Sequence, residues 1–437
     1  MRVLIINGSP KGKYSITLHT ALYLEKRFAG CEFEYLNASQ KIRSLEKDFA
    51  PAAEAVLRAD LVVFCYPVYT FLVPAQLHRF VELLHSCGAD FKGRFATQIT
   101  TSKHFYDVTA HEFMRENLAD LGFTVLEGLS ADMEDLPLEK GQKEAVQFFS
   151  YTLWQMERKG CLAARGLASA AGAGEAEVPA GKAKRIVVVA DMEEDDQALA
   201  SKIALFTEAA DFPVDVINLR EFPFKGGCQG CFNCAATGEC IYKDGFTDML
   251  RNDIHRHDAI VYAFRIRNHS MGYRFKLYDD RQFCNGHRTV TMGTPFGYII
   301  EGDISAEPNL KKVLEARAQV GGNFLAGLAC TDEQIADMAG VLSYAMNECL
   351  VLPQNFLGVG GMKIFRDLIY QMRGMMRADH KFFKSHGQYD FPQKKWRTSM
   401  MMYLVGWMMN NRKVRARLGN RINEGMVAPY SKLLEQK

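Results

Sequence analysis

Short aliphatic runs alternate along this chain with longer amphipathic stretches. Strand-like runs fall at 3–7, 32–36, 61–66, 95–101 and 125–129. Between them the apolar spacing predicts helices over 15–28, up to Arg58, over 74–85, through Asn117 and over 139–158. Runs that are apolar at nearly every position, rather than at alternate ones, suit strands covered on both faces, as in a parallel sheet. The pattern predicts five βα units in a doubly wound domain over residues 1–161.

A stretch rich in Ala, Gly and Ser follows at 162–183, too poor in large apolar residues to bury a core, and reads as a linker. The alternation then restarts at 185–189 and continues through 214–219, 259–265, 296–300 and 324–329, predicting a second domain over 184–352. The third strands of the two copies align without a gap, 61–69 against 259–267, as expected of a diverged internal duplication. Residues 353–437 form an extension of helical character.

Charge adds a contrast. The chain of 437 residues has a net charge of only +2, which gives no argument for a nucleic-acid partner. Residues 353–437, however, carry 16 Lys plus Arg against 5 Asp plus Glu, a local +11 that leaves −9 for the rest. The same extension holds ten of the 20 methionines, together with Trp396 and Trp407. Its longest apolar run, 400–409, falls well short of the roughly 20 residues needed to span a bilayer. The first strand starts almost at Met1, leaving no room for an export segment, so a cytoplasmic chain is expected. In that reducing setting, the eleven cysteines point to buried thiols, metal ligands or redox chemistry rather than disulfides.

Three segments carry candidate chemistry. The turn after the first strand, Gly8-Ser9-Pro10-Lys11-Gly12-Lys13-Tyr14-Ser15-Ile16-Thr17, gathers backbone amides, hydroxyls and two lysines at a strand-to-helix junction, which suits a phosphate. The third strand ends in Tyr66-Pro67-Val68-Tyr69-Thr70-Phe71, placing aromatic groups where open α/β sheets bind ligands. Those aromatics could instead pack beneath the next helix. In the second copy, Cys228, Cys231, Cys234 and Cys240 lie within thirteen residues. Four cysteines at such spacing suit an iron-sulfur cluster, with structural zinc or four unliganded thiols as the alternatives. The second copy's first loop, 190–196, instead carries five carboxylates, which would repel a phosphate.

These residues resemble the flavodoxin-like NAD(P)H-dependent FMN reductases, including the iron-sulfur flavoproteins. The resemblance covers about 1–160 and 184–350. It implies two tandem flavodoxin-like sheets of five strands in the order 2-1-3-4-5, followed by the α-helical extension. It further implies that Ser9, Lys11, Ser15, Ile16 and Thr17 hold the FMN phosphate. Pro67, Val68, Tyr69, Thr70 and Phe71 would line the ring, with Thr101 and Ser102 near its other edge, and the four cysteines would hold a [4Fe-4S] cluster. In that family a dimer brings the flavin of one subunit near the cluster of the other. This chain would then be a covalent pseudo-dimer keeping one cofactor pair, with assembly into a homo-oligomer left open.

The implied function is electron transfer from NAD(P)H through FMN to the cluster, or to a small-molecule or protein acceptor. A non-catalytic carrier or redox sensor that docks a protein partner is the alternative. The extension is expected to pack on the sheet domains or another subunit, with a substrate lid or a membrane-surface contact as further readings. Asp280-Arg281 reads as an ordinary surface or interdomain ion pair, Gly358-Val359-Gly360-Gly361 as a turn with a helix start, and His255 and His257 as solvated.

Overall fold

The computed structural model describes residues 1–69, 71–104, 106–160, 184–391, 395–409 and 412–435. They form two compact units, one holding the described residues up to 160 and those from Phe391 onward, the other those from 184 to Asp390. The expected linker at 162–183 lies outside the described residues.

In the first unit β1 (Arg2–Asn7), β2 (Glu32–Leu36), β3 (Leu61–Pro67) and β4 (Phe95–Ser102) are followed by two short strands, β5 (Thr124–Val125) and β6 (Leu129–Asp132). The order is β2-β1-β3-β4-β5, all parallel, with β6 pairing farther along β4. The fifth strand expected at 125–129 is therefore divided. Its middle leaves the ladder because Thr97 Oγ1 donates to the Glu127 carbonyl at 2.6 Å, and a Cβ on Gly128 would stand 2.6 Å from Gln98 Cγ. Helices α1 (Ile16–Arg27), α2 (Ala38–Leu45), α3 (Ala50–Arg58), α4 (Ala75–Ser86), α5 (Asp107–Asp120) and α6 (Glu139–Arg158) connect and cover the strands. Leu4, Ile6, Val62 and Phe64 pack in one core with Leu77 and Phe80 of α4. Burial on both faces explains why β1 and β3 read as unbroken apolar runs.

The second unit repeats the plan. Strands β7 (Ile186–Asp191), β8 (Val214–Asn218), β9 (Ala259–Arg265), β10 (Phe296–Glu301) and β11 (Leu325–Ala329) take the order β8-β7-β9-β10-β11. Helices α7 (Gln197–Ala209), α8 (Tyr273–Arg281), α9 (Pro308–Gly321) and α10 (Asp332–Asn347) belong to this sheet. His257, expected to be solvated, is largely buried and pairs with Asp215 at 2.8 Å.

The extension is shared between the units. Its helices α11 (Phe356–Gln371) and α12 (Arg377–Ser385) belong to the second, whereas α13 (Trp396–Met409) and α14 (Arg412–Glu435) belong to the first. The glycine run 358–361 lies inside α11 rather than in a turn. A Cβ on Gly358 would stand 2.5 Å from the Gln319 carbonyl oxygen, and one on Gly361 2.7 Å from Val320 Cγ2, so the glycines let α11 approach the end of α9. No helix among the described residues is long and apolar enough to cross a membrane.

Candidate functional site

In the first unit, the carboxyl ends of β1, β3 and β4 are neighbours in the sheet. Buried Asn7 ends β1 and organises the loop after it. Its side-chain amide donates to the Gly12 carbonyl at 3.3 Å and to Asn37 Oδ1 at 3.0 Å, while its own oxygen accepts from the Ser9 amide at 3.1 Å. Gly12 has φ +55, and a Cβ there would strike the Gln40 side chain. Ser15 caps α1 by accepting from the Leu18 amide at 3.3 Å, and Ser9 Oγ accepts from the Lys11 amide at 3.3 Å. Both hydroxyls accept in these bonds and keep their protons available for an anion. Ile16 and Thr17 open the helix, where backbone amides precede any intrahelical acceptor. Thr17 Oγ1 lies 2.6 Å from Thr101 Oγ1, joining this loop to the end of β4, where Ser102 follows.

Pro67 ends β3 and Val68 follows, both partly buried. Tyr69 and Leu72 exchange backbone hydrogen bonds of 2.8 and 3.1 Å, closing a tight turn; Thr70 lies outside the described residues. Tyr69 is 42% exposed and Phe71 44%, so the alternative in which they pack beneath the next helix does not hold. Phe71 meets Tyr106 edge to face at 4.8 Å between centroids. Phe71, His104 and Tyr106 all have positive φ, at 71°, 58° and 53°. Backbone conformations that side chains ordinarily avoid, gathered at one sheet end, are characteristic of binding sites.

His104, beside that shelf, is buried. Its Nδ1 donates to Asp107 Oδ2 at 3.0 Å, and Ser130 Oγ donates to the same oxygen at 2.5 Å. This fixes the tautomer, so that a neutral His104 carries its lone pair on Nε2. No periodic pattern announces this arrangement, because Ser130 comes from a strand distant in sequence from His104 and Asp107. The role of the extension is equally unannounced: in α14, Val427 and Tyr430 pack with Tyr23 and Leu136, and Tyr14 and Ile16 of the loop join that cluster.

The second unit keeps the turn but changes its chemistry. Arg267 and Ser270 exchange the same pair of backbone bonds, at 2.8 and 3.0 Å, in the alignment register of Tyr69 and Leu72. His269 has φ 61, matching Phe71. The acidic loop is bound by arginine: Arg220 to Asp191 at 2.6 Å, Arg265 to Asp196 at 2.6 and 3.0 Å, and Arg267 to Glu193 at 2.7 Å. Arg265 and Arg267 stand in the register of Pro67 and Tyr69. Ion pairs of the chain itself thus occupy the sheet edge that binds ligands in such folds.

The cysteine segment follows β8. Cys228 and Cys231 are exposed, Cys234 and Cys240 half-buried, and Asn233–Thr237 forms a short helix. Among the described residues no three His, Cys, Asp or Glu side chains are gathered as for a metal ion, so the four thiols share a segment but do not converge. The segment is braced at both ends. Arg281 pairs with Asp244 through bonds of 2.9 and 2.8 Å and donates to the Gly226 carbonyl at 2.8 Å. Burial pushes the Asp244 carboxyl up, but Arg281 and the Lys225 and Phe246 amides outweigh it and bring it down to about 2. Arg281, expected to form an ordinary surface or interdomain pair, is instead fully buried. The first half of the extension backs the same segment, with Ile369, Met376 and Phe383 packed around Ala235.

Residues 1–133 match the family described as NADPH-dependent FMN reductase. That stretch lies within the first unit and makes up less than half of the chain. The chain is also similar to the iron-sulfur flavoprotein of Archaeoglobus fulgidus, 23% identical over 173 residues, which cover 37% of this chain and 78% of that protein. Among solved structures, an FMN-dependent NADH-azoreductase from Bacillus anthracis is 14% identical, covering 35% of this chain and 98% of its own, with a TM-score of 0.28. The NAD(P)H:quinone oxidoreductase from Methanothermobacter marburgensis is 15% identical, covering 37% and 94%, also at 0.28.

The loop after β1 suits a phosphate-bearing group such as FMN. From Gly8 to Thr17 it has two lysines, no carboxylate, hydroxyls with protons to donate and a helix start. The exposed Tyr69 and Phe71 supply faces for a planar ring.

Proposed function

We propose that this chain draws electrons from NAD(P)H through FMN in the first domain and passes them to a [4Fe-4S] cluster on Cys228, Cys231, Cys234 and Cys240, or to a small-molecule or protein acceptor. FMN, when bound, takes a hydride from nicotinamide and releases its electrons singly or in pairs. Ser9, Lys11, Ser15, Ile16 and Thr17 would hold its phosphate. Pro67, Val68, Tyr69, Thr70 and Phe71 would flank the ring, with Thr101 and Ser102 at the far edge. His104, oriented by Asp107, would exchange the proton that accompanies each electron pair. The observation that carries this reading is the Thr17–Thr101 contact, which joins the anion-suited loop to the strand end bearing the polar edge.

The cluster part rests on the donor set, four uncrosslinked thiols on one segment, and on the brace at its ends. Protein purified without oxygen, with flavin, iron and sulfide quantified together, tests both parts. One FMN and about four iron and four sulfide per chain are expected. Zinc in their place would reduce the cysteines to a structural staple. Colourless protein without flavin would overturn the whole reading. NAD(P)H oxidation with a quinone or free flavin as acceptor tests turnover.

A further inference from the structure

The described part of α13 is an apolar helix standing in solvent. Trp396, Met400, Tyr403 and Trp407 recur at intervals of four, three and four, which puts them along one side of the helix. They are between 62% and 82% exposed. Met401, Met402 and Leu404, on other sides, are each more than half exposed. A helix that docks into a protein groove needs one apolar side and can keep its others polar. From Met400 to Trp407 this one exposes large apolar residues on more than one side, and large exposed apolar patches mark interaction surfaces.

The surrounding charge selects the occupant. Residues 391–423 carry eight Lys and Arg, from Lys394 to Arg421, and no Asp or Glu. Basic residues thus flank the apolar segment on both sides. Fourteen residues of helix are about 21 Å long, shorter than the roughly 30 Å of a hydrocarbon core. Tryptophan near each end and tyrosine between suit the headgroup boundary, where amphipathic rings settle. We infer that α13 is an interfacial anchor that beds this chain onto an anionic lipid surface without spanning it. The basic flanks would meet the phosphates of the headgroups while the Trp396–Trp407 side enters the acyl boundary. This inference is independent of which cofactors the two domains hold.

The test uses the full chain with vesicles of phosphatidylcholine alone and of phosphatidylcholine with about 30% phosphatidylglycerol. Sedimentation should give at least ~10-fold tighter binding to the anionic vesicles, weakened by 0.5 M salt. In a Trp154→Phe background, where only Trp396 and Trp407 emit, lipid-borne bromine should quench the fluorescence. Met401→Glu with Trp407→Glu should cut binding at least ~10-fold, while the far-ultraviolet spectrum of the folded chain stays unchanged. Absence of binding to both vesicles would overturn the inference. So would anionic binding without quenching, since adsorption by charge alone does not bury the helix. Concentration-dependent self-association abolished by Trp407→Glu, without vesicle binding, would also overturn it and make α13 a contact between copies.

Discussion

The guanidinium of Arg281 lies against the carboxylate of Asp244, with both side chains only 1% exposed. Arg281 also stacks over Tyr242 and Phe246, 4.4 and 4.8 Å from their ring centres. It bonds Gly226 before the first cysteine, and its carboxylate partner follows the last, so one buried pair closes the whole segment. Replacing Arg281 with Met would strand a buried charge. We expect a loss of about 3–5 kcal/mol in urea unfolding. Removing both charges in Asp244→Asn with Arg281→Met should recover part of it, and iron content should fall in the single variant.

The same pair sets an acid limit. Because the folded carboxyl is depressed from 3.8 to about 2, its contribution is fully present above the unfolded value and is lost as pH falls through the folded one. Urea midpoints measured between pH 5 and pH 2 should therefore decline for the wild type. Asp244→Asn should be less stable throughout but flatter in that interval.

Gly12→Ala should be costly for two separate reasons. Its φ of +55 is unfavourable for a residue with a Cβ, by roughly 1–2 kcal/mol. The Gln40 side chain also stands where that Cβ would be. Thermal denaturation should show the loss, and flavin retention on gel filtration should fall with it.

Ser15→Ala removes the cap of α1 and one hydroxyl of the anion loop. A stability loss of about 1 kcal/mol is expected from the cap, accompanied by weaker FMN binding in a fluorescence titration.

Tyr69→Ala and Phe71→Ala should behave in the opposite way. Exposed residues away from a core change stability by about 0.5 kcal/mol or less. The unfolding curves should barely move, while FMN affinity falls and the flavin spectrum shifts.

Much of the fold is legible in the amino-acid pattern. Glu32–Leu36, Glu139–Arg158 and Ala259–Arg265 form at the predicted bounds, because each owes its state to its own apolar pattern. The parallel pairing in both sheets follows from the βα alternation. What escapes that pattern depends on contacts distant in sequence. The division of the fifth strand comes from Thr97 and Gln98 on its neighbour, and Arg281 finds Asp244 rather than the adjacent acid in the chain. Gly358 is explained only by Gln319. The two loops of the candidate site stand out in the sequence, but His104–Asp107–Ser130 and the packing of α14 beside the phosphate-type loop do not.

The arginines at the second sheet's edge also constrain what that domain could become. Asp191 and Asp196 are buried beneath their partners, so stripping Arg220 or Arg265 alone would leave a carboxylate with neither water nor a counterion. The cations are less exacting, because Arg220 and Arg265 reach solvent and keep Glu193 and Glu301 as further partners. A path of single substitutions that clears this end of the sheet therefore begins with the acids, since beginning with the arginines leaves a buried charge behind.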